Sequence, residues 1–323
     1  MKQDKNVILL INLGSPDSLE VSSIREFLRR FLSDRRVVNL PKILWYPILY
    51  GFILSMRPQR LLSKYKCVWM DDGSPLIHYT RLQAEKLNRL LSTHDDSVIV
   101  KYAFSYSTPQ INIVLDALHR EYTVKKLTVI PLYPQFSSTT TMAVFDSITK
   151  FYTNKLYLPQ LLYISSFCHN QAYIKALAKS ILNSWQNNGR HEKLVFSYHG
   201  LPTKLIQDGD AYFDQCAATT MGVVNELGIS SDEYIMAFQS KFGNQKWLLP
   251  ATNSVLLDLA KQGIKSVDII CPGFVSECLE TLEEIAIALQ ENYIHAGGEV
   301  YNYIPCLNDD DNFIQVLREL SEK

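Results

Sequence analysis

The sequence predicts an α/β fold of two similar, Rossmann-like domains, each with a parallel sheet flanked by helices. Short apolar runs of strand length alternate with amphipathic helical runs along the whole chain. At 323 residues, the chain is long for one domain and sufficient for two, each with its own hydrophobic core. We therefore place the first domain at 1–148 and the second at 149–308, while a C-terminal helix over 309–323 could pack back on the first.

The predicted strands are apolar runs that have turn residues at both ends. They cover 7–13, 98–104, 127–132, 194–198, 234–238 and 267–271. The clearest helices carry apolar residues at helical spacing and cover 82–91, 171–185 and 255–261. Since α/β proteins bind ligands at the carboxyl ends of parallel strands, residues that directly follow these runs are the first candidates for a functional site.

Three short segments recur in the same order in the two halves of the chain. The pairs are 7–16 with 194–202, 103–105 with 237–239, and 126–137 with 265–276. A strand followed by a turn is common enough for chance matches, but the preserved order favours a duplication. Two similar α/β halves would then face each other, and their strand ends would form the walls of one cleft.

Composition narrows the classes of function. The formal net charge of −1 argues against a nucleic-acid partner, because binding to phosphate backbones needs clustered, uncompensated Lys and Arg. The first six residues lead directly into an apolar strand without the pattern of a signal sequence, so we expect a cytoplasmic protein. The six cysteines are scattered without a C-x-x-C pair or zinc-site spacing, and we expect free thiols.

The segment 43–54 is apolar and uncharged, and it contains Pro47 and Gly51. Its 12 residues fall short of the roughly 20 that a membrane-spanning helix needs. One interpretation is a buried core segment. The other is an exposed apolar lip that touches a membrane or lines a pocket for a hydrophobic ligand. We call this segment the 43–54 lip.

His199 has the most informative position of the histidines, because it lies where the strand 194–198 ends and a tight turn begins. A histidine there is by default a satisfied core or turn residue, and the alternative is a catalytic one. The other six share no such position with a second candidate ligand; they are His78, His94, His119, His169, His191 and His295.

Three glutamates follow a second strand end. If 277–290 is an α-helix, as its apolar spacing indicates, then Glu277, Glu280 and Glu284 fall at i, i+3 and i+7 and share one face. The ordinary interpretation is a solvated acidic face near a helix N-terminus. The functional interpretation is a stripe of carboxylates that faces His199, because both features directly follow strand ends.

The residues around the histidine resemble the signature of the ferrochelatases, enzymes that insert Fe(II) into a porphyrin. These seven consecutive residues are Phe196-Ser197-Tyr198-His199-Gly200-Leu201-Pro202. Five further segments resemble the same family in family order; they are 12–16, 31–36, 131–137, 238–243 and 278–282. The resemblance implies a two-domain chelatase-like fold and a lyase that makes protohaem from Fe(II) and protoporphyrin IX, the terminal step of haem biosynthesis. Leu13 stands where an apolar residue accompanies protoporphyrin rather than coproporphyrin.

By this resemblance, His199 and Glu280 face each other at the porphyrin centre and carry proton abstraction and metal delivery. Metallation removes two pyrrole protons while a partly desolvated Fe(II) arrives, and imidazole and carboxylate can both bind Fe(II). Which of the two takes the protons and which handles the metal is left open. Glu277 and Glu284, on the same stripe, are further expected carriers of the metal or of protons.

The resemblance also implies residues that hold the macrocycle. The expected walls are the 43–54 lip, Leu13, Tyr133 and Phe136, and the expected propionate ligands are Arg57, Arg60, Tyr65 and Ser137. Some relatives carry His where this chain has Cys278, and some hold a [2Fe-2S] cluster through cysteines near the C-terminus. No cysteine follows Cys306, so we expect no cluster and no cofactor, iron being a substrate.

Two other functions stay open at this point. A related chelatase could load cobalt or nickel into another tetrapyrrole with the same fold and a similar His and Glu. A porphyrin or haem carrier would need a pocket and an axial ligand, but no stripe of acids.

Overall fold

A computed structural model describes residues 2–93, 95–241 and 245–322. His94 and the last two residues of the 238–243 motif lie outside these ranges. The chain divides into two compact units. The first contains the residues up to Tyr133, Ser137–Ser165 and the chain from Leu317 onward, and the second contains Pro134–Phe136 and Ser166–Val316.

The first unit is built on a parallel sheet of four strands. They are β1 (Gln3–Asn12), β2 (Val98–Phe104), β3 (Tyr122–Pro131) and β4 (Gln160–Tyr163), in the order β2-β1-β3-β4. Val7 of β1 pairs with Ile99 on one side and with Leu127 on the other. Central strands of this kind are buried on both faces, which explains their nearly continuous apolar sequence.

Helices cover this sheet and extend from it. They are α1 (Val21–Leu32), α2 (Lys42–Ile48), the π-helix π1 (Leu49–Ile53), α3 (Leu54–Val68), α4 (Pro75–Ser92), α5 (Ile111–Glu121) and α6 (Thr141–Tyr152). The start of α4 is encoded locally, because Ser74 accepts a hydrogen bond from the Ile77 N–H and Pro75 occupies the first helical position.

The second unit repeats this plan. Its strands are β5 (Lys193–His199), β6 (Tyr234–Gln239), β7 (Ser266–Ile270) and β8 (Val300–Ile304), all parallel, in the order β6-β5-β7-β8. Its helices are α7 (Gln171–Asn188), α8 (Thr203–Gln207), α9 (Tyr212–Leu227), α10 (Thr252–Lys261), the π-helix π2 (Glu280–Leu289) and α11 (Gln290–His295). A last helix, α12 (Asp311–Ser321), begins in the second unit and belongs to the first from Leu317 onward.

The two sheets share one strand order, so the three sequence repeats fall on equivalent strands, β1 with β5, β2 with β6 and β3 with β7. The loops after β2 and β6 also return in the same way. Phe104 N–H donates to Pro109 O at 2.8 Å, and Phe238 N–H donates to Pro250 O at 2.9 Å. The predicted fold class of two similar α/β halves is confirmed, and the shared connectivity supports the duplication.

The 43–54 lip becomes α2 followed by π1, with one face buried and the other exposed, and its contact with a membrane or a ligand stays a prediction. Trp45, Leu49 and Ile53 are buried, and the Trp45 indole N–H donates to Leu32 O at 2.7 Å. On the other face, Ile43 is 84% exposed and Phe52 is 62% exposed. Over the part of the chain that the structure describes, no helix combines the length and the apolar character needed to cross a membrane.

The predicted α-helix over 277–290 is wrong in its start and in its type. The helical turn begins at Leu279, so Glu277 precedes it, and Glu280–Leu289 form the π-helix π2. In a π-helix each hydrogen bond spans five residues instead of four, so the turn is wider. The i, i+3, i+7 stripe therefore does not form as predicted.

Candidate active site

His199 is the last residue of β5, at the carboxyl edge of the second sheet, and its side chain is half-buried. Its Nδ1 lies 2.7 Å from Gly200 O. A carbonyl oxygen can only accept, so Nδ1 carries the hydrogen and donates it. In the neutral imidazole the lone pair is then on Nε2, which is the nitrogen that can accept a proton or bind a metal ion.

One aromatic side chain lies beside this histidine and a second lies beside the glycine that follows it, and neither was predicted as a site residue. The ring of Phe274 lies 6.5 Å from the His199 ring, centroid to centroid. Trp247 packs beside the turn, since a methyl group on Gly200 would lie 3.2 Å from its ring and 2.9 Å from Gln239 O. This close approach explains why glycine follows the histidine.

The indole N–H of Trp247 is buried and has no hydrogen-bond partner among residues 2–93, 95–241 and 245–322. An unpaired buried donor is unfavourable in a folded protein and is common at functional sites. The signal in the sequence was weak, because Trp247 lies in a loop where nothing in the spacing marks it. Only the antiparallel bridge to Pro202 shows that it returns to the His199 turn.

Glu280 is the first residue of π2 and is half-buried. Gln239, the strand partner of His199, connects it to β5. The Gln239 amide accepts from Ser197 Oγ at 2.6 Å and donates from Nε2 to Glu280 O at 3.5 Å. Both residues predicted for the chemistry, His199 and Glu280, therefore belong to the second unit, and one buried glutamine contacts both of the elements that carry them.

Glu277 is buried, and its carboxylate already has several donors. The phenol of Tyr303 donates to it at 2.9 Å, the Cys306 N–H donates at 3.0 Å, and the hydroxyl of Thr281 also donates to it. Burial raises the pKa of Glu277 above its ordinary value, although these hydrogen bonds act in the opposite direction. The carboxylate thus accepts hydrogen bonds from Tyr303 in β8 and from Cys306 in the chain after β8.

Glu284 has different donors. Its Oε1 accepts from the Ser240 N–H at 2.8 Å, and its Oε2 accepts from Ser240 Oγ at 2.6 Å. Glu277 and Glu284 are therefore each held by neighbouring protein groups. Among residues 2–93, 95–241 and 245–322, no group of three or more His, Cys, Asp or Glu side chains is arranged to hold a metal ion.

Cys278 occupies the position where some relatives are expected to have histidine. Its side chain is 4% exposed, so the thiol is buried. Burial raises the pKa of Cys278 well above its ordinary value, and the nearby Glu280 carboxylate raises it further. The thiol is therefore protonated at neutral pH and lies next to Glu280 as a neutral group.

The residues predicted to hold the porphyrin are distributed over both units. In the first unit, Leu13 directly follows β1, Tyr133 is the second residue after β3, and both are half-buried. Ser137 is buried, and its hydroxyl lies 3.0 Å from Thr139 Oγ1. Burial raises the pKa of Tyr133 above its ordinary range. Phe136 belongs to the second unit, where its N–H donates to Gln215 Oε1 at 2.7 Å.

The three remaining predicted porphyrin ligands lie on α3. Tyr65 is 6% exposed and packs edge-on against Trp69 with ring centroids 5.9 Å apart. Arg57 is partly buried, and burial lowers its pKa from the ordinary value, whereas Arg60 is exposed. An arginine that is partly desolvated binds an anion more strongly than one in water.

Comparison with known proteins identifies the family. The family model for ferrochelatase matches residues 5–323. Ferrochelatase 1 of Shewanella oneidensis is 42% identical over 317 residues, covering 98% of this chain and 95% of the relative. The ferrochelatase of Vibrio atlanticus is 43% identical over 316 residues, covering 98% and 97%.

Solved structures agree with the fold. SirB from Bacillus subtilis, solved with Fe³⁺, superposes with a TM-score of 0.54 at 13% identity, covering 98% of this chain and 96% of that one. CbiX, described as the terminal enzyme for biosynthesis of siroheme in denitrifying bacteria, superposes with a TM-score of 0.53 at 11% identity, covering 98% of each chain. At these identities the likeness shows the chelatase fold. The match of the family model to residues 5–323 shows that this protein belongs to the ferrochelatase family.

Proposed function

We propose that this lyase inserts Fe(II) into protoporphyrin IX to give protohaem, with His199 and Glu280 carrying the chemistry. Ferrochelatase activity in haem biosynthesis follows from membership of the family. The assignment of residues rests on one observation. Because the His199 Nδ1–H donates to Gly200 O, the lone pair of the neutral imidazole is on Nε2, at the end of β5.

The chemistry needs two kinds of group. Each of the two pyrrole N–H protons needs an acceptor, and a free imidazole nitrogen accepts protons near neutral pH. The arriving Fe(II) loses part of its hydration shell, and a carboxylate compensates its charge. His199 then serves as base or metal ligand through Nε2, and Glu280 supplies the carboxylate beside the buried, neutral Cys278 thiol.

The remaining predicted contacts become parts of this proposal. Leu13, Tyr133, Phe136 and the 43–54 lip would pack on the macrocycle, and Arg57, Arg60, Tyr65 and Ser137 would receive its propionates. Glu277 and Glu284 as carriers of iron or protons stay a prediction. Iron enters as a substrate in this proposal, and the lack of a resident cofactor stays a prediction.

The direct test is anaerobic incubation of the protein with protoporphyrin IX and Fe(II), followed by the absorbance change on metallation. Turnover to protohaem supports the proposal. Binding of the porphyrin without turnover would instead indicate a carrier. Turnover only with cobalt or nickel, or only with another tetrapyrrole, would indicate a related chelatase.

Peripheral contact with a membrane, by a protein that otherwise stays in the cytoplasm, is the second part of the proposal. The outer face of the 43–54 lip exposes Ile43, Leu44 and Phe52 by 62% or more. Residues 35–70 around it contain seven Lys or Arg and no Asp or Glu. Apolar side chains beside a segment with an excess of Lys and Arg favour binding to the surface of an anionic bilayer.

Vesicle co-sedimentation tests this contact. The wild type is expected to bind vesicles that contain phosphatidylglycerol, and binding should fall as salt is raised, because salt screens the attraction. The variant Ile43→Ser/Phe52→Ser should lose at least half of this binding. Leu156→Ser, at an even more exposed apolar side chain outside the lip, is the control. Equal binding by all three proteins would contradict a role for the lip.

A further inference from the structure

Gln239, the last residue of β6, and Ser240, which follows it, contact both elements of the proposed site. On one side, Gln239 pairs with His199 in the sheet, and Gln239 O accepts from the Gly200 N–H at 2.8 Å. On the other side, Gln239 reaches Glu280 O and Ser240 binds Glu284. A segment of two residues thus connects the histidine turn to the first five residues of π2.

The contact between Ser240 and Glu284 is the stronger of the two. The backbone N–H and the hydroxyl of Ser240 each donate to a different oxygen of the carboxylate, at 2.8 and 2.6 Å. Hydrogen bonds to an ionised acceptor are shorter and roughly twice as strong as neutral ones. Two of them from one residue fix the orientation of the carboxylate as well as its distance.

Ser240 adopts a backbone conformation that supports this geometry. Its φ is +64°, in the left-handed region that residues other than glycine rarely occupy. Such a conformation is unfavourable and persists only where surrounding contacts hold it. Here it directs both donors of one residue toward the same carboxylate.

A π-helix needs such restraints more than an α-helix does. Hydrogen bonds of the i→i+5 type are rare and occur mostly as single turns inside α-helices, whereas π2 extends over ten residues. Its buried positions, Thr281, Ile285 and Leu289, hold it to the core of the second unit. Its half-buried face is held by two contacts, Gln239 with Glu280 O and Ser240 with the Glu284 carboxylate.

We propose that Ser240 and Glu284 form a clamp that fixes the start of π2, and with it Glu280, relative to His199. Ser240 and Glu284 are then positioning residues of the metallation site, and the Glu284 carboxylate serves as an acceptor for Ser240 instead of as a carrier of iron. Gln239 completes the connection through its contact with Glu280 O. The effect on metallation rests on the proposed function, whereas the clamp itself is a property of the fold.

Three variants test the clamp. Ser240→Gly keeps the N–H and suits the positive φ, but removes the hydroxyl donor. Glu284→Gln removes one of the two acceptor oxygens, and the double variant removes both partners. The matched control is Ser230→Gly, because the N–H and hydroxyl of Ser230 also both donate to a carboxylate, that of Glu233, on the exposed surface before β6.

The first readout is single-turnover metallation. Each single variant should lower the rate about tenfold with an unchanged KM for the porphyrin, and the double variant should be no slower than the single ones, because all three lose the same contact. Ser230→Gly should keep the wild-type rate. A wild-type rate in Ser240→Gly together with a loss in Glu284→Gln would overturn the clamp and favour the carrier role.

The second readout is amide hydrogen exchange over 279–289, which does not depend on catalysis. Exchange in this segment should become faster in Ser240→Gly and Glu284→Gln and stay unchanged in Ser230→Gly. Unchanged exchange in every variant would overturn the clamp even if the wild type proves to be a ferrochelatase. If Ser240→Gly does not fold, Ser240→Asn, which tolerates the same φ and retains the N–H, takes its place.

Discussion

At the scale of single residues, the neighbour that follows His199 determines which of its nitrogens is free. The Gly200 carbonyl accepts from Nδ1, and the same glycine leaves room for the Trp247 ring. The sequence predicted the histidine from its place after a strand, but the tautomer depends on a backbone carbonyl that no residue pattern reveals. Phe274 lies in the recurring segment 265–276, yet its contact with the His199 ring depends on the path of the chain after β7.

The raised pKa of Glu277 predicts how the free energy of unfolding depends on pH. Because burial raises its pKa above 4.5, the folded protein holds a proton that the unfolded chain releases at a lower pH. Its contribution to the free energy of unfolding is therefore greatest below about pH 4.5 and is lost as the pH rises through the folded-state pKa.

Urea unfolding of the wild type and of Glu277→Gln between pH 4 and 8 measures this contribution. The difference in free energy of unfolding, wild type minus variant, should fall as the pH rises. A difference that grows with pH would show that the donors from Tyr303 and Cys306 stabilise the ionised form more than burial destabilises it.

At the scale of elements, the largest difference between expectation and structure is π2. An apolar pattern at helical spacing was read as α-helical, and the glutamates were placed on one stripe by that assumption. The buried positions of π2, Thr281, Ile285 and Leu289, recur every four residues, which is longer than the 3.6-residue period of an α-helix. That spacing was the available signal, but a stretch of about ten residues is too short to separate the two periods.

The edge strands β4 and β8 were not predicted. They have four and five residues, and each pairs with only one neighbour. Polar residues such as Gln160 and Asn302 interrupt these short runs, so the sequence does not mark them as strands. The predicted strands β2 and β6 also lie at sheet edges, but their runs of seven and six residues are longer.

Replacing Asp268 should have a large effect on the free energy of unfolding, because this residue links three elements of the second unit. It lies in β7, is fully buried, and accepts from Trp185 Nε1 of α7 and from Asn302 Nδ2 of β8, both at 2.6 Å. His191 Nδ1 lies 2.8 Å from the same carboxylate. Asp268→Ala leaves these groups unpaired and should lower the free energy of unfolding by about 3 kcal/mol or more.

Urea unfolding of Asp268→Ala measures that loss. The control is Asp258→Ala, because the Asp258 carboxylate is exposed and lies 3.8 Å from Lys261 Nζ, a surface pair worth less than about 1 kcal/mol. Similar small losses in both variants would mean that the buried network around Asp268 adds no net stability.

At the scale of the whole molecule, the duplicated plan explains why so much was visible in the sequence. Two sheets with one strand order place equivalent loops at equivalent edges, so motifs that follow strands mark functional positions in either half. His199 and Glu280 follow β5 and β7 of the second half. What the sequence could not give was the set of contacts between loops, such as Ser240 with Glu284, because they depend on backbone conformation more than on residue type.

The most direct test of the account is anaerobic single-turnover metallation of protoporphyrin IX by His199→Ala and Glu280→Gln, with porphyrin binding measured separately. Both variants should still bind the porphyrin and should metallate it roughly 10²- to 10⁴-fold more slowly than the wild type. His295→Ala, at an exposed histidine at the end of α11, should keep the wild-type rate. Metallation at the wild-type rate by His199→Ala would contradict the assignment of the chemistry to the end of β5.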